Sequence, residues 1–191
     1  MVHAAPSVVA VVGSPRPRGN TAALVAVTLS ELEARGAACE TIVLSRLAVA
    51  PCLAHDTCGE LATCAIGDDA AAVLDRVYAA DCLVLGTPVY YENVSAQMKA
   101  LMDRSYFPYV HGRWLRAKAV GLVVVAAETG LQETVDALRR YVALSSDEDI
   151  PMLACAGYAD EAGAAAADDK LVAEARRLGA ELAGALGLSR A

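Results

Sequence analysis

Gly13-Ser14-Pro15-Arg16-Pro17-Arg18-Gly19-Asn20-Thr21 is the stretch that decides the fold. An apolar run, Val8-Val9-Ala10-Val11-Val12, precedes it, and a helix-like segment over residues 21–34 follows. The order is strand, small-residue loop, helix N-terminus. Gly13 and Gly19 permit backbone angles that other residues resist. Ser14, Asn20 and Thr21 offer side-chain donors beside the free N–H groups of a first helical turn. Together they describe an anion site, and phosphate is the anion such a site suits best. Arg16 and Arg18 add two positive charges to the same loop. An ordinary N-capped strand-to-helix turn is the competing reading. Neither G-x-G-x-x-G nor G-x-x-x-x-G-K-[ST] occurs, which removes the dinucleotide fingerprint and the P-loop.

Working outward, strand-like and helix-like segments alternate to the end of the chain. Strands are expected over residues 7–13, 39–44, 82–86, 119–126 and 151–156. Helices are expected over residues 20–34, 68–79, 95–104, 131–144 and 168–186. In the first helix Leu24, Val27, Thr28 and Leu32 recur at helical spacing, and Arg35-Gly36 ends it. Asp68 and Asp69 open the second, where acidic residues suit the positive end of the helix dipole. The strands are continuous apolar runs of the kind buried on both faces. Five of them alternating with helices imply an α/β fold, a parallel sheet with helices on both faces. The doubly wound order 2-1-3-4-5 places a ligand at the carboxyl ends of strands one and three. The expected site is then built from residues 14–21, 87–93 and 127–132.

Composition bounds the remaining choices. The 191 residues suit one domain, residues 1–191, with a full core, and 56% are hydrophobic, which argues against disorder. No apolar run is long enough to span a bilayer. Met1-Val2-His3-Ala4-Ala5-Pro6 lacks the features of a signal peptide, so a cytoplasmic protein is expected. The net charge of −7 argues against a nucleic-acid partner. Cys39, Cys52, Cys58, Cys64, Cys82 and Cys155 are then expected as reduced thiols or ligands. Cys82 and Cys155 lie inside strand-like runs and read as inert core residues; Cys39 opens a strand and reads as structural.

Two further loops carry chemistry. After strand three comes Gly86-Thr87-Pro88-Val89-Tyr90-Tyr91-Glu92-Asn93-Val94-Ser95. Pro88 stiffens the strand exit, and Tyr90 and Tyr91 put aromatic surface at the sheet edge. A planar ligand could pack on Tyr90 and take hydrogen bonds from backbone N–H groups. Alternatively both tyrosines pack on the protein itself. After strand four comes Ala126-Ala127-Glu128-Thr129-Gly130-Leu131-Gln132-Glu133-Thr134. Gly130 allows close approach of a ligand, and Thr129 and Gln132 can hydrogen-bond one. A helix start with Thr129 as N-cap and Glu133 in the first turn is compatible with both.

Gly13-Ser14-Pro15-Arg16 through Gly19-Asn20-Thr21, Thr87-Pro88-Val89-Tyr90, and Ser95-Ala96-Gln97-Met98-Lys99 with Asp103-Arg104 resemble the NAD(P)H-dependent FMN reductase family. The resemblance runs from about residue 8 to residue 186. It implies the flavodoxin-like fold and bound FMN. It implies that Ser14, Arg16, Asn20 and Thr21, with Gly19, hold the FMN phosphate. Thr87, Pro88, Val89, Tyr90 and Asn93 would line the isoalloxazine ring. Gly130 and its neighbours Glu128, Thr129 and Gln132 would close the other edge. Glu128 departs from the small residue usual there; a carboxylate beside flavin disfavours the anionic reduced form. Lys99, Asp103 and Arg104 read as structural or interfacial. Residues 106–114 concentrate aromatics. By the resemblance they would cover a neighbouring subunit's flavin, implying a homodimer or homotetramer; the alternative is a cap on their own domain.

Within this family the chain is similar to the iron–sulfur flavoproteins, whose long loop carries Cys-x2-Cys-x2-Cys-x4–7-Cys before an acidic pair. Here the stretch holds Cys52, Cys58 and Cys64 before Asp68-Asp69, with His55 in place of the second cysteine. Three readings stay open: a [4Fe–4S] cluster on Cys52, His55, Cys58 and Cys64, a Cys3His zinc site, and a metal-free loop. The resemblance implies an enzyme taking hydride from NAD(P)H and passing electrons to a quinone, an azo compound or free flavin. A non-enzymatic electron carrier is the alternative. No side chain is assigned a catalytic step; Tyr90 is the candidate for positioning.

Overall fold

The computed structural model describes residues 4–189. Five parallel strands lie in the order β2-β1-β3-β4-β5: β1 Ser7–Val12, β2 Ala38–Val43, β3 Cys82–Pro88, β4 Val120–Ala126 and β5 Met152–Tyr158. Their β-branched and apolar residues face helices on both sides, so the central strands are buried almost throughout. One face is covered by α1 (Asn20–Glu33), α6 (Ala164–Ala167) and α7 (Asp169–Ala185), through Leu24, Leu32, Leu178 and Leu182. The other is covered by α2 (Ala70–Ala79), α3 (Ala96–Arg104) and α5 (Leu131–Leu144), through Val73, Val77, Met98 and Leu138. This is the flavodoxin-like doubly wound sheet. Among the described residues no helix is long and apolar enough to cross a membrane.

Register carries β1 and β3 to the same edge. Val12 pairs with both Val43 and Gly86, and the N–H of Gly13 donates to Gly86 O at 2.7 Å. β3 runs two residues further than expected, to Pro88, because Thr87 and Pro88 still pair with β4. β5 runs to Tyr158, opposite Ala126. Two short helices were not expected: α6, and α4 over Tyr106–Val110.

Cys82 and Cys155 are buried, and Cys39 is half-buried. Burial, with Glu33 beside it, pushes the Cys39 thiol up to about 11. Burial pushes Cys82 up to about 12 and Cys155 to about 11. At pH 8 these three are thiolate at roughly one part in a thousand or less. Iodoacetamide at pH 8 should therefore leave Cys39, Cys82 and Cys155 unmodified in the native protein while Cys52 reacts. Peptide mass mapping reads this directly, and equal labelling of Cys82 and Cys52 would mean that the core opens.

Candidate functional site

The first loop is placed by strand β1 and by a bond across the sheet edge. The Ser95 hydroxyl donates to Gly13 O and accepts from the N–H of Met98 at 3.2 Å, so the N-cap of α3 also pins the first loop. Neither Gly13 nor Gly19 has a positive φ. The glycine at position 13 is demanded by space instead: a Cβ there would sit 2.8 Å from Met98 Cβ. Ser14 is buried, and its Oγ accepts from the N–H of Arg16 at 3.1 Å. Helix α1 begins at Gly19 with no side-chain cap. The amides of Asn20, Thr21 and Ala22 find no acceptor among the described residues. An uncapped turn of this kind leaves partial positive charge at the helix start. Arg16 and Arg18 are exposed, and neither has an ion-pair partner among the described residues.

Asn20 is spent differently from the expectation. Its Nδ2 donates to Ala159 O (3.2 Å) and Glu161 O (2.8 Å). Its Oδ1 accepts from the N–H groups of Gly163 (2.9 Å) and Ala165 (3.3 Å). The side chain thus ties the loop after β5 to the start of α1, and only the backbone N–H remains for a ligand. The same holds for Thr87. Its Oγ1 donates to Pro88 O at 2.9 Å and accepts from the N–H of Ser95 at 3.0 Å, so it fixes the loop from inside.

A cavity of about 190 Å³ is lined by Ser14, Arg16, Gly19, Thr21, Pro88 and Tyr90, and by Ala159 and Asp160 from the loop after β5. A second, of about 490 Å³, is lined by Val89, Tyr91, Glu92, Ala127, Glu128 and Thr129. Both include Val89 and Ala127, so they adjoin along the sheet edge. Asp160 and Ala159 were not anticipated. The only signal for them lay in Asn20, whose partners follow it by about 140 residues and cannot be read from spacing.

The chain between the two cavities is a tight hairpin. Tyr90 and Asn93 exchange backbone bonds of 2.9 and 3.1 Å, with Tyr91 (φ 49°) and Glu92 (φ 58°) between them. Two positive φ values describe a type I′ turn, which normally selects Asn-Gly. Tyrosine and glutamate there hold strain on the order of 1–3 kcal/mol each. Tyr91 is fully exposed and Tyr90 half-exposed. Asn93 faces away, into a groove of about 550 Å³ between α3, α4 and α5.

Gly130, not Thr129, is the N-cap of α5, in the left-handed conformation (φ 80°, ψ 13°). A Cβ there would meet Glu92 Cα at 2.6 Å, so its close approach is to the hairpin. Gln132 lines neither cavity; its Nε2 donates to Asp136 Oδ1 at 2.9 Å.

The cysteine loop, residues 45–67, contains two single 3-10 turns, Leu44–Arg46 and Cys58–Glu60. Cys58 is buried, and burial first, then Cys64, Cys52 and Asp56 nearby, push its thiol up. His55 Nδ1 lies 3.1 Å from Thr57 Oγ1. Cys64 Sγ accepts from Arg104 Nη2 at 3.2 Å. Among the described residues no three His, Cys, Asp or Glu side chains converge in a way that could hold a metal ion. Cys52, His55, Cys58 and Cys64 therefore do not form the ligand set that their spacing suggested. The acidic pair meets the start of α2, where Asp68 Oδ1 accepts from the N–H of Ala70 at 3.1 Å, and it also holds the loop. Asp69 Oδ2 accepts from the N–H of Ala48 at 2.7 Å, and Asp68 pairs with Arg104.

Part of segment 106–114 packs on this chain's own cysteine loop, while Tyr106 and Tyr109 stay half-exposed. Phe107, Pro108 and Arg113 surround a small cavity with Cys64 and Arg104, and His111 lies 3.0 Å from Leu61 O. Lys99 and Asp103 form an exposed pair one turn apart on α3.

The fold and its edge loops define a flavodoxin-like domain with an anion loop beside a ring-sized cleft. The chain belongs to the NADPH-dependent FMN reductase family, whose description matches residues 6–147. It is similar to proteins described as iron–sulfur flavoproteins. It is 43% identical over 128 residues to one from Methanocaldococcus jannaschii, covering 66% of each chain. It is 37% identical over 127 residues to one from Archaeoglobus fulgidus, covering 66% of this chain and 57% of that protein. The chain thus spans 66% and 57% of the length of these relatives. RosB with bound 8-demethyl-8-formylriboflavin-5'-phosphate superimposes with a TM-score of 0.77 at 15% identity, covering 96% of this chain and 81% of that one.

The residues present fit an FMN. The open α1 amides, the Ser14 and Thr21 hydroxyls and the Arg16 cation suit its phosphate. The cleft beside Val89 and Ala127 suits a planar ring.

Proposed function

We propose that this chain is an FMN-dependent NAD(P)H oxidoreductase that passes electrons to a small acceptor such as a quinone, an azo compound or free flavin. The carrying observation is the adjoining pair of cavities, one ringed by unpaired donors and the other a flat cleft, on one sheet edge. Bound FMN would supply the hydride and electron chemistry, as cofactors of this class do. The protein binds, orients and tunes. Ser14, Arg16, Thr21 and the amides of residues 20–22 hold the phosphate. Val89, which lines both cavities, would lie beside the ring, with Pro88 and Tyr90 between it and the phosphate loop. Glu128 and Thr129 border its far edge, and the exposed Glu128 carboxylate disfavours added negative charge there. No side chain is required to act as nucleophile.

The half-exposed Tyr106 and Tyr109 support association of two or more copies, and the six thiols suit the cytoplasm. The net charge of −7 favours the second reading, an electron carrier that docks protein partners through an acidic face. Direct oxidation of NADH or NADPH by the FMN-loaded protein alone distinguishes the two. A carrier would show no reduction without a partner reductase.

The phosphate loop is tested with two ligands. Arg16→Ala should weaken FMN by about 1.5–3 kcal/mol, the scale of a hydrogen bond to a charged group. Riboflavin, which lacks the phosphate, should lose almost nothing. Equal losses in fluorescence titrations of both ligands would reject the phosphate assignment.

A further inference from the structure

Residues 45–67 are tied off at their base by a set of polar groups, beside the packing of Leu47 and Val49 on the core. Asp69 begins the clip: its Oδ2 accepts from the N–H of Ala48 at 2.7 Å, and its backbone N–H donates to Ala48 O at 2.9 Å. One step inward, Asp68 Oδ2 accepts from the N–H of Ala50 at 2.8 Å and from Arg104 Nη1 at 2.7 Å. Arg104 then reaches both sides of the loop. Nη1 donates to Ala50 O at 3.1 Å, and Nη2 to Cys64 Sγ at 3.2 Å and to Ile66 O at 3.4 Å. Its side chain is 1% exposed.

We infer that the cysteine loop is closed by the buried Arg104–Asp68 ion pair and keeps its fold without metal, so that this chain departs from its iron–sulfur relatives at that loop. The reasoning is one of roles. Closing a loop of about twenty residues costs chain entropy that some clip must offset. A metal centre is one such clip; here the guanidinium and two carboxylates already bridge both ends. The residue in the second ligand position of the motif is His55, whose Nδ1 faces Thr57. The last, Cys64, has its sulfur on a guanidinium. Among the described residues the thiols do not gather with other His, Cys, Asp or Glu side chains into a group of three that could hold an ion. The inference does not depend on the proposed FMN chemistry.

The test starts from protein purified without oxygen and incubated with ferrous iron, sulfide and thiol reductant, then desalted. Iron, zinc, acid-labile sulfide, FMN and native free thiols are counted on the same sample. Metal and sulfide at background, with the thiol count unchanged, are expected. About four irons per chain, or one zinc, together with loss of the Cys52, Cys58 and Cys64 thiols, would overturn the inference whatever the FMN content. Hydrogen exchange over residues 48–67 supplies an independent readout. Arg104→Met should raise it about a hundredfold, while an iron chelator on the unaltered protein should leave it unchanged. Asp68→Asn serves if Arg104→Met does not fold, and should raise exchange in the same amides. Loosening by the chelator, or no loosening by either variant, would also overturn it.

Discussion

Arg104→Ala should destabilise the fold by about 3–5 kcal/mol, the range for removing one partner of a buried ion pair. For a chain of this length that lowers the melting temperature by roughly 6–20 °C. The size follows from what stays behind. Asp68 would keep a nearly buried carboxylate, with its side chain 10% exposed, facing no cation. Ala50 O would lose its donor, and Ile66 O would keep only the N–H of Asp68. Arg104→Lys should recover only part of the loss, because one ammonium cannot span the positions that the planar fork reaches. The Nε of Arg104 finds no acceptor even in the intact protein, so the gain lies wholly in the two terminal nitrogens.

The same pair sets a pH dependence. Burial pushes the Asp68 carboxyl up, but the bond from Arg104 and the N–H groups of Ala50 and Ala70 outweigh it and hold it below the ordinary carboxylate value. A carboxyl depressed in the folded state stabilises fully above its unfolded value, about 3.9. That contribution is lost as pH falls through the folded value. The gap between Arg104→Ala and the unaltered protein should therefore be widest near pH 6–7 and narrow below about pH 3. Urea unfolding at several pH values measures it. A gap that stays constant down to pH 2.5 would show that the lost stability is packing, not charge.

Much of this architecture is legible in the residues. Runs such as Val8–Val12 and Leu83-Val84-Leu85 are apolar on both faces and admit little but central parallel strands. With helices between them, handedness left the order that the sheet has. Strand ends then placed the edge loops. What spacing could not give is where polar side chains spend their bonds. Asn20 looks like a ligand contact until its four partners near residues 159–165 are seen. Asp68 does meet the first N–H of α2, but its other oxygen and Asp69 hold the loop that folds back on them, which spacing does not show. The helix Tyr106–Val110 has Pro108 in it and poor helix formers around it; tertiary contacts such as His111 with Leu61 hold it. The hairpin at residues 90–93 carries Tyr91-Glu92 where its turn type favours Asn-Gly, so its residues gave no turn signal.

Gly130 lets the start of α5 pack closely on that hairpin, and Gly130→Ala should show how far the hairpin depends on it. Two costs separate. At φ 80° any side chain pays a left-handed penalty of about 1–2 kcal/mol. The added Cβ would also lie 2.6 Å from Glu92 Cα and 2.8 Å from Val89 Cγ1, and a backbone atom cannot swing aside as a side-chain tip can. Overpacking of that kind costs a further 1–3 kcal/mol or so. Gly36 is the control: its φ is +92°, yet a Cβ there meets nothing within 4 Å. Gly36→Ala should cost the angular term alone, and Gly130→Ala roughly twice as much in urea unfolding. The difference should also appear in flavin binding. Moving the hairpin shifts Val89 and Glu92, which wall the 490 Å³ cleft, so FMN and riboflavin affinity should both fall by about tenfold or more. Gly36→Ala should leave both affinities unchanged. Equal effects of the two variants on stability and binding would mean that the hairpin holds its strained turn by itself. The contact at Gly130 would then be a consequence of the turn, not its cause.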